Sequence, residues 1–349
     1  MHKFHPLSIK KINKETSIAV SVYFDIPVSL SETFAFQAGQ YITLRKTLNG
    51  EEIRRSYSIF TTPESGEMGV VINALRGGTF STYANDKLMA GDVLEVLPPE
   101  GKFIFSPIES NVHNYVSFAA GSGITPVLSI LKTVLEKEPN STFLLVYGNQ
   151  NPQETIFLKQ LMDLQKQYLG RFFLELVFSR TQENEAQFGR ISTSIVNYFI
   201  KNKYTHLDFH SFYLCGPEEM IKEVTSVLKH NNVADKAIHF ELFASTTESK
   251  TIEAADGNTA VTVILDDETS NFIIPKGKTV LEAVLEQDLD APYSCQGGIC
   301  STCIARIKEG KTEMRKNQIL TDGEIAEGLI LTCQAVPTSA ILVVDYDDV

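Results

Sequence analysis

The sequence predicts a multidomain protein built in three successive styles: an antiparallel β-barrel, an α/β domain on a parallel sheet, and a small α+β module. Three observations carry this reading. Short β-branched and aromatic runs alternate with turn residues over the first hundred residues. From Tyr115 onward, strands alternate with helices. Four of the five cysteines fall in the last fifth of the chain. A length of 349 residues also exceeds one ordinary core.

In the first region the apolar runs lie over 18–24, 41–44 and 69–73, separated by Pro27, Gly39, Asn49-Gly50 and Pro63. Asn49-Gly50 is a hairpin signal, and the set reads as an antiparallel barrel or sandwich. The run Arg54-Arg55-Ser56-Tyr57-Ser58-Ile59 places Arg55 and Tyr57 on one face of a strand. A guanidinium fork suits a phosphate and a phenol ring suits stacking, although such a pair also makes an ordinary half-exposed face. Gly77-Gly78-Thr79-Phe80-Ser81-Thr82 then opens a helix. It reads either as an anion site at a helix N-terminus or as a plain N-cap. The two features together point to the phosphate site of a flavin.

The second region begins with the buried strand Tyr115-Val116-Ser117-Phe118-Ala119-Ala120, the loop Gly121-Ser122-Gly123-Ile124-Thr125-Pro126, and a periodic helix over 127–137. Further strands are expected over 143–147, 172–178 and 211–215, with helices over 155–168, 191–200 and 217–230. The loop is G-x-G-x-x-P, short of the full dinucleotide fingerprint, yet a helix starting at a strand end still offers N–H groups to a phosphate. Other strand tips are Gly148-Asn149-Gln150 and Cys215-Gly216-Pro217. Ligands of open α/β sheets bind at such carboxyl ends. Cys215 reads either as a small buried hydrophobe or as a nicotinamide contact.

Cys295, Cys300 and Cys303 follow the spacing C-x4-C-x2-C, and Cys333 comes after 29 further residues. This is the plant-type [2Fe–2S] pattern, three thiolates on one loop and a fourth from a distant segment. Gly297 and Gly298 let the backbone wrap closely and aim N–H groups at sulfur. A structural zinc site competes, but it usually shows paired C-x2-C knuckles. Disulfides fit poorly in a long chain without a secretory signal.

The net charge of −12 is unevenly spread: residues 250–349 hold 17 Asp/Glu against 8 Lys/Arg. With no basic face, nucleic acid is excluded as a partner. An acidic module suits either docking to a basic protein surface or simple solubility. Met1-His2-Lys3-Phe4-His5-Pro6 has no apolar signal region, and the apolar stretch over 115–135 is broken by Gly121, Gly123, Pro126 and Lys132. No membrane span and a cytoplasmic location are expected.

Together, R-x-Y-S, G-S-G-I-T-P, C-G-P and C-x4-C-x2-C resemble the ferredoxin–NADP reductase superfamily with a plant-type ferredoxin fused at the C-terminus. The likeness covers nearly the whole chain. It implies a β-barrel flavin domain over 1–108, a nucleotide domain over 109–243, a linker over 244–258 and a β-grasp ferredoxin domain over 259–349. It implies that Arg55 meets a flavin phosphate, Tyr57 stacks on the isoalloxazine and Ser58 lies near its N5. Gly78, Ser81 and Thr82 would hold the FAD pyrophosphate. Gly123, Thr125 and Pro126 would form the nicotinamide-nucleotide loop, with Cys215, Gly216 and Pro217 beside the nicotinamide. Tyr57, Ser58 and Cys215 would be the catalytic residues, and Glu241 and Phe243, in Phe240-Glu241-Leu242-Phe243, would close the module near the flavin. Ser179, Arg180 and Arg190 resemble a 2′-phosphate site and favour NADP(H). Gln150, where many relatives carry Arg, keeps NAD(H) open, and Arg180 also reads as a solvated loop residue. The domain order is similar to that of the reductase component of the phenylacetyl-CoA ring epoxidase complex. Phthalate-dioxygenase-type reductases share it but use FMN, and a third set serves hybrid-cluster proteins. The expected function is electron transfer from NAD(P)H through FAD and a [2Fe–2S] cluster to a terminal oxygenase, first among them the epoxidase's diiron component. Another oxygenase, a desaturase or a hybrid-cluster protein is the alternative acceptor. A zinc-stapled binding module without redox activity is the alternative class.

Overall fold

A computed structural model describes residues 3–243 and 257–349. The chain divides into two compact units, the larger holding the N-terminal and central sheets and the smaller the C-terminal sheet.

Six antiparallel strands open the larger unit: β1 (His5–Thr16), β2 (Ala19–Asp25), β3 (Tyr41–Leu48), β4 (Glu51–Ser58), β5 (Met68–Asn73) and β6 (Val93–Val96). They lie in the order β4-β3-β6-β1-β2-β5. A bridge between Ile59 and Val70 joins the outer strands, and Phe60 N–H donates to Gly69 O at 3.0 Å. This closure makes the barrel and removes its free edges. Asn49 and Gly50 form the β3–β4 turn with φ of 55° and 85°, the left-handed pair that matches strand twist in a two-residue hairpin. Leu7, Ile9, Val22, Ile42, Leu44 and Ile72 fill the interior, and α1 (Thr79–Asp86) adds Phe80 and Ala84. Strand β1 escapes the sequence pattern because its burial alternates only in its first half. Two register shifts, between Ile9 and Lys11 and between Lys14 and Thr16, let it pair with both β6 and β2.

The second sheet consists of β7 (Asn114–Ala120), β8 (Thr142–Asn149), β9 (Phe172–Phe178), β10 (Ala186–Phe188), β11 (Phe209–Cys215) and β12 (Ile238–Glu241), all parallel, in the order β10-β9-β8-β7-β11-β12. The chain runs outward from β7 to β10 and returns to the other side at β11, so the topological switch lies between β7 and β11. The helices are α2 (Ile124–Lys137), α3 (Leu158–Gln167), α4 (Thr193–Asn197) and α5 (Glu218–His230). The helix expected from residue 155 starts only at Leu158, because Phe157 takes a left-handed conformation at φ 61° and packs its ring 4.8 Å from that of Phe60. The helix expected over 191–200 is short and runs into a π turn, Tyr198–Lys203. Phe60, Phe103 and Phe105 of the barrel region share one core with Val127, Leu131 and Tyr213. Ser129 Oγ of α2 donates to Thr61 O at 2.6 Å, and the two sheets therefore pack as one body.

The smaller unit contains β13 (Thr259–Leu265), β14 (Glu268–Ile274), α6 (Val280–Leu285), β15 (Ile304–Glu309), β16 (Thr312–Met314), α7 (Asp322–Ala326), β17 (Leu329–Leu331), β18 (Ala335–Pro337) and β19 (Ile341–Asp345). Five strands form a mixed sheet, β14-β13-β19-β15-β17, in which β13 and β19 run parallel. Helix α6 buries Val280, Leu281, Ala283 and Val284 in the same core as Val263, Ala305 and Val344. The linker expected over 244–258 lies outside the described residues except for its last two.

Candidate functional site

The switch point of the parallel sheet brings three strand ends together. Ala119 of β7 pairs with Cys215 of β11, and Cys215 pairs with Glu241 of β12. Gly123 follows β7 and is buried against this edge; a Cβ there would stand 2.1 Å from Cys215 O, so no other residue fits without moving backbone. Gly216 is less tight, since its Cβ would meet the flexible end of Met220, Cε, at 2.7 Å. The Thr125 hydroxyl donates to Ser122 O at 3.0 Å and ties the loop, and Pro126 sits buried in the first turn of α2. Helix α2 continues from a single tight turn over Gly121–Gly123 and has no side-chain cap; its first N–H, from Ile124, donates back to Gly121 O and Ser122 O. Tyr147, which the sequence pattern marks only as strand, donates to Gly121 O at 2.9 Å and fixes the loop from β8. Its place at a strand end is the only signal for that role.

Ser58, at the end of β4, donates its hydroxyl to Glu241 Oε2 at 2.9 Å, and both residues are buried. Burial pushes the Glu241 carboxyl up to about 8, partly opposed by the Ser58 bond. Burial, then the Glu241 charge, pushes the Cys215 thiol well up, so Cys215 is a neutral, uncharged contact. Residues 58, 215 and 241, far apart in sequence, thus meet in one place. Pro217 is exposed beside them, and Phe243 is 41% exposed two residues beyond Glu241.

Around the barrel's mouth, Tyr57 is half-buried with its ring 6.0 Å from that of Phe80 on α1. This contact places β4 beside the start of α1. Arg55 is exposed, and its guanidinium donates to Arg54 O at 2.7 Å. Helix α1 starts on Gly78, again with no side-chain cap. Ser81 is buried and its hydroxyl accepts from Leu75 N–H at 3.1 Å, which closes the loop; Thr82 is exposed. Asn73 Oδ1 on β5 and Asn85 Oδ1 on α1 are buried without hydrogen-bond partners among the described residues. The uncapped start of α1, the exposed guanidinium of Arg55 and the half-buried ring of Tyr57 are groups that fit a flavin nucleotide. At the far side of the sheet, Ser179 and Arg180 N–H groups donate to Asn149 O and Gln150 O, each at 2.9 Å. Arg180 and Arg190 are exposed there, flanking strand β10.

In the smaller unit the four cysteines gather in two pairs. Cys300 Sγ lies 3.1 Å from Cys295 Sγ, and Gly297 N–H points at Cys295 Sγ at 3.3 Å. Gln296 is left-handed at φ 49°, as is Gly298 at 70°, whose Cβ would meet Lys316 O at 2.7 Å. Cys303 and Cys333 are held together by β15 and β17: Thr332 donates to Cys303 O from both its N–H, at 3.0 Å, and its hydroxyl, at 2.9 Å. The thiols perturb one another. Hydrogen bonding from Cys300 pulls Cys295 down to about 6, while Cys300 and Cys303 are pushed well up by their partner thiols and burial. Four sulfurs brought together, three of them from one tight loop, are the donor set of an iron–sulfur centre. Gln334, directly after Cys333, donates to Gln296 O at 2.9 Å and clamps the cysteine loop. The sequence reading does not single it out, although its position beside a ligand is a readable cue.

Comparison with known proteins agrees region by region. The family model for an oxidoreductase FAD-binding domain matches residues 7–105, that for an oxidoreductase NAD-binding domain 118–226, and that for a 2Fe-2S iron-sulfur cluster binding domain 263–338. The chain is 36% identical to a component of the 1,2-phenylacetyl-CoA epoxidase of Escherichia coli (strain K12), covering 99% of each chain. The chain belongs to the ferredoxin–NADP reductase superfamily, in the branch that carries a C-terminal [2Fe–2S] ferredoxin domain. It is an oxidoreductase that uses NAD(P)H, FAD and a [2Fe–2S] cluster. The ferredoxin reductase component of 3-ketosteroid-9-alpha-monooxygenase from Rhodococcus rhodochrous is 30% identical over 97% of this chain and 96% of its own. Phthalate dioxygenase reductase shares the fold, with a TM-score of 0.60 at 23% identity over 98% of both chains. No helix among the described residues is long and apolar enough to cross a membrane.

Proposed function

We propose that this reductase takes a hydride from NAD(P)H at the Ser58–Cys215–Glu241 corner and delivers single electrons, through the four-cysteine centre, to a partner oxygenase. The meeting of those three residues at the switch point carries the reading. FAD, held by the barrel residues, would supply the conversion of a two-electron donor into one-electron steps, and a [2Fe–2S] centre on the four cysteines would supply a one-electron site. Arg55, Tyr57, Gly78, Ser81 and Thr82 hold the flavin nucleotide: Arg55 by charge, Tyr57 by its ring, and the α1 start by N–H groups. Gly123, Thr125, Pro126, Gly216 and Pro217 shape the nicotinamide edge, with Cys215 as a neutral buried wall against it. Ser58 donates its proton to the Glu241 carboxyl and forms a polar corner that would face the flavin and nicotinamide, with Phe243 at its rim. Ser179, Arg180 and Arg190 receive the 2′-phosphate and favour NADPH over NADH. Cys295, Cys300, Cys303 and Cys333 are the cluster ligands.

The 36% identity along the whole chain supports the phenylacetyl-CoA epoxidase oxygenase component as the acceptor. The excess of acidic residues over 250–349 supports docking through a basic face of that partner. In the test, this chain replaces its Escherichia coli relative in an assay of the purified oxygenase, with NADPH as donor. Epoxide formation that weakens with added salt is expected. Reduction of a dye without epoxide formation would remove this acceptor and leave the reductase.

A further inference from the structure

Tyr346 lies just beyond β19 and beyond the matched cluster-binding region, 263–338. It is only 2% exposed and belongs to the same core as Cys303, Cys333 and Ala305. The antiparallel register explains this. Arg306 faces Asp345 and Ile307 faces Val344, so the next step sets Tyr346 opposite Ala305, two residues from Cys303 and on its inward side. On the other flank Ile304 faces Leu331, which carries Thr332 and Cys333 into the same space. The Tyr346 hydroxyl is buried and makes no hydrogen bond of good geometry among the described residues, a costly arrangement for a phenol. Thr332 brings the neighbouring hydroxyl, which donates to Cys303 O, and its oxygen does not accept the phenol proton in a bond of good geometry. A phenol carries its proton in the ordinary working range, so Tyr346 has an O–H to donate.

We propose that the Tyr346 hydroxyl donates a hydrogen bond to a sulfur of the cluster held by Cys303 and Cys333, and thereby raises its reduction potential. A donor to sulfur draws off negative charge and favours the reduced centre, which carries more of it. The proposal rests on the four cysteines holding the cluster. Tyr346→Phe keeps the ring and removes only the donor, so the core stays filled. Spectroelectrochemical titration of the holoprotein tests it. The variant should retain its iron, sulfide and flavin content while its reduction equilibrium shifts about tenfold toward the oxidised form, ~59 mV for a one-electron couple. Resonance Raman bands of the wild-type iron–sulfur stretches should shift in D2O, and that shift should shrink in the variant. An unchanged potential with an intact cluster overturns the role of Tyr346. So does a potential that falls in Thr332→Val but not in Tyr346→Phe, and so does the lack of any deuterium shift in the wild type, which needs no variant to fold. Wild-type protein without iron–sulfur bands would overturn the cluster assignment itself, a failure distinct from the others.

Discussion

Helices start differently in the two units. In the larger one, α1 and α2 begin on Gly78 and Gly123, and neither has a side-chain cap. In the smaller one, α6 and α7 begin on Thr279 and Thr321, each with a complete capping box to Glu282 and Glu324. A capping box satisfies two of a helix's free N–H groups with side chains; α1 starts on a glycine without one, and α2 instead ties its first N–H, from Ile124, back to Gly121 O and Ser122 O. The larger unit thus offers a ligand the uncapped backbone at the start of α1. The smaller unit binds through side chains, four sulfurs on a backbone that is itself tied down by Thr332 and Gln334.

This contrast predicts separable losses. The largest is Cys333→Ser, which should abolish the iron–sulfur absorbance while flavin content and its reduction by NADPH persist; joint loss of both would show that the sites are not independent. Gly123→Ala should do the reverse. Its Cβ, 2.1 Å from Cys215 O, forces backbone apart at a cost of about 1–3 kcal/mol and should stop flavin reduction with the cluster intact. Arg180→Ala should weaken NADPH binding by about ten- to a hundredfold and leave NADH nearly unchanged, the scale of a lost charge-assisted hydrogen bond; equal effects on the two nucleotides would return Arg180 to the solvent.

Two smaller effects sharpen the contrast. Glu241, raised to about 8, favours folding in its protonated form. Its contribution is complete below the ordinary carboxylate range and is lost as pH rises through about 8. Resistance of the larger unit to urea should therefore fall across that window, and Glu241→Gln should flatten the decline. Thr279→Ala removes one capping box and should cost the smaller unit about 1 kcal/mol, read as a lower melting temperature with cofactor contents unchanged.

The cysteine centre was legible because its ligands are near neighbours in the chain: three sit within nine residues, and the spacing alone dictates one loop. The parallel sheet was legible for the same local reason, since buried strands and amphipathic helices alternate. Other features depend on tertiary pairing. Ser58, Cys215 and Glu241 are named through family likeness; the β11-β12 pairing brings Cys215 and Glu241 together, and the Ser58–Glu241 hydrogen bond adds Ser58 from the barrel. Strand β1 hid behind its bulges and lysines. Phe157 in the left-handed region cut three residues from a periodic helix, a case of packing against Phe60 overriding helical propensity. Gln334 and Tyr346 act through contacts that no spacing announces.

The most direct test of the account is the time order of reduction. Purified holoprotein is mixed with NADPH without oxygen in a stopped-flow spectrometer, and the flavin and iron–sulfur bands are followed separately. Bleaching of the flavin first and of the cluster second is predicted, with the second phase missing in Cys333→Ser. A cluster that stays oxidised while the flavin is fully reduced, or that bleaches first, would contradict the path from the switch-point corner to the four cysteines.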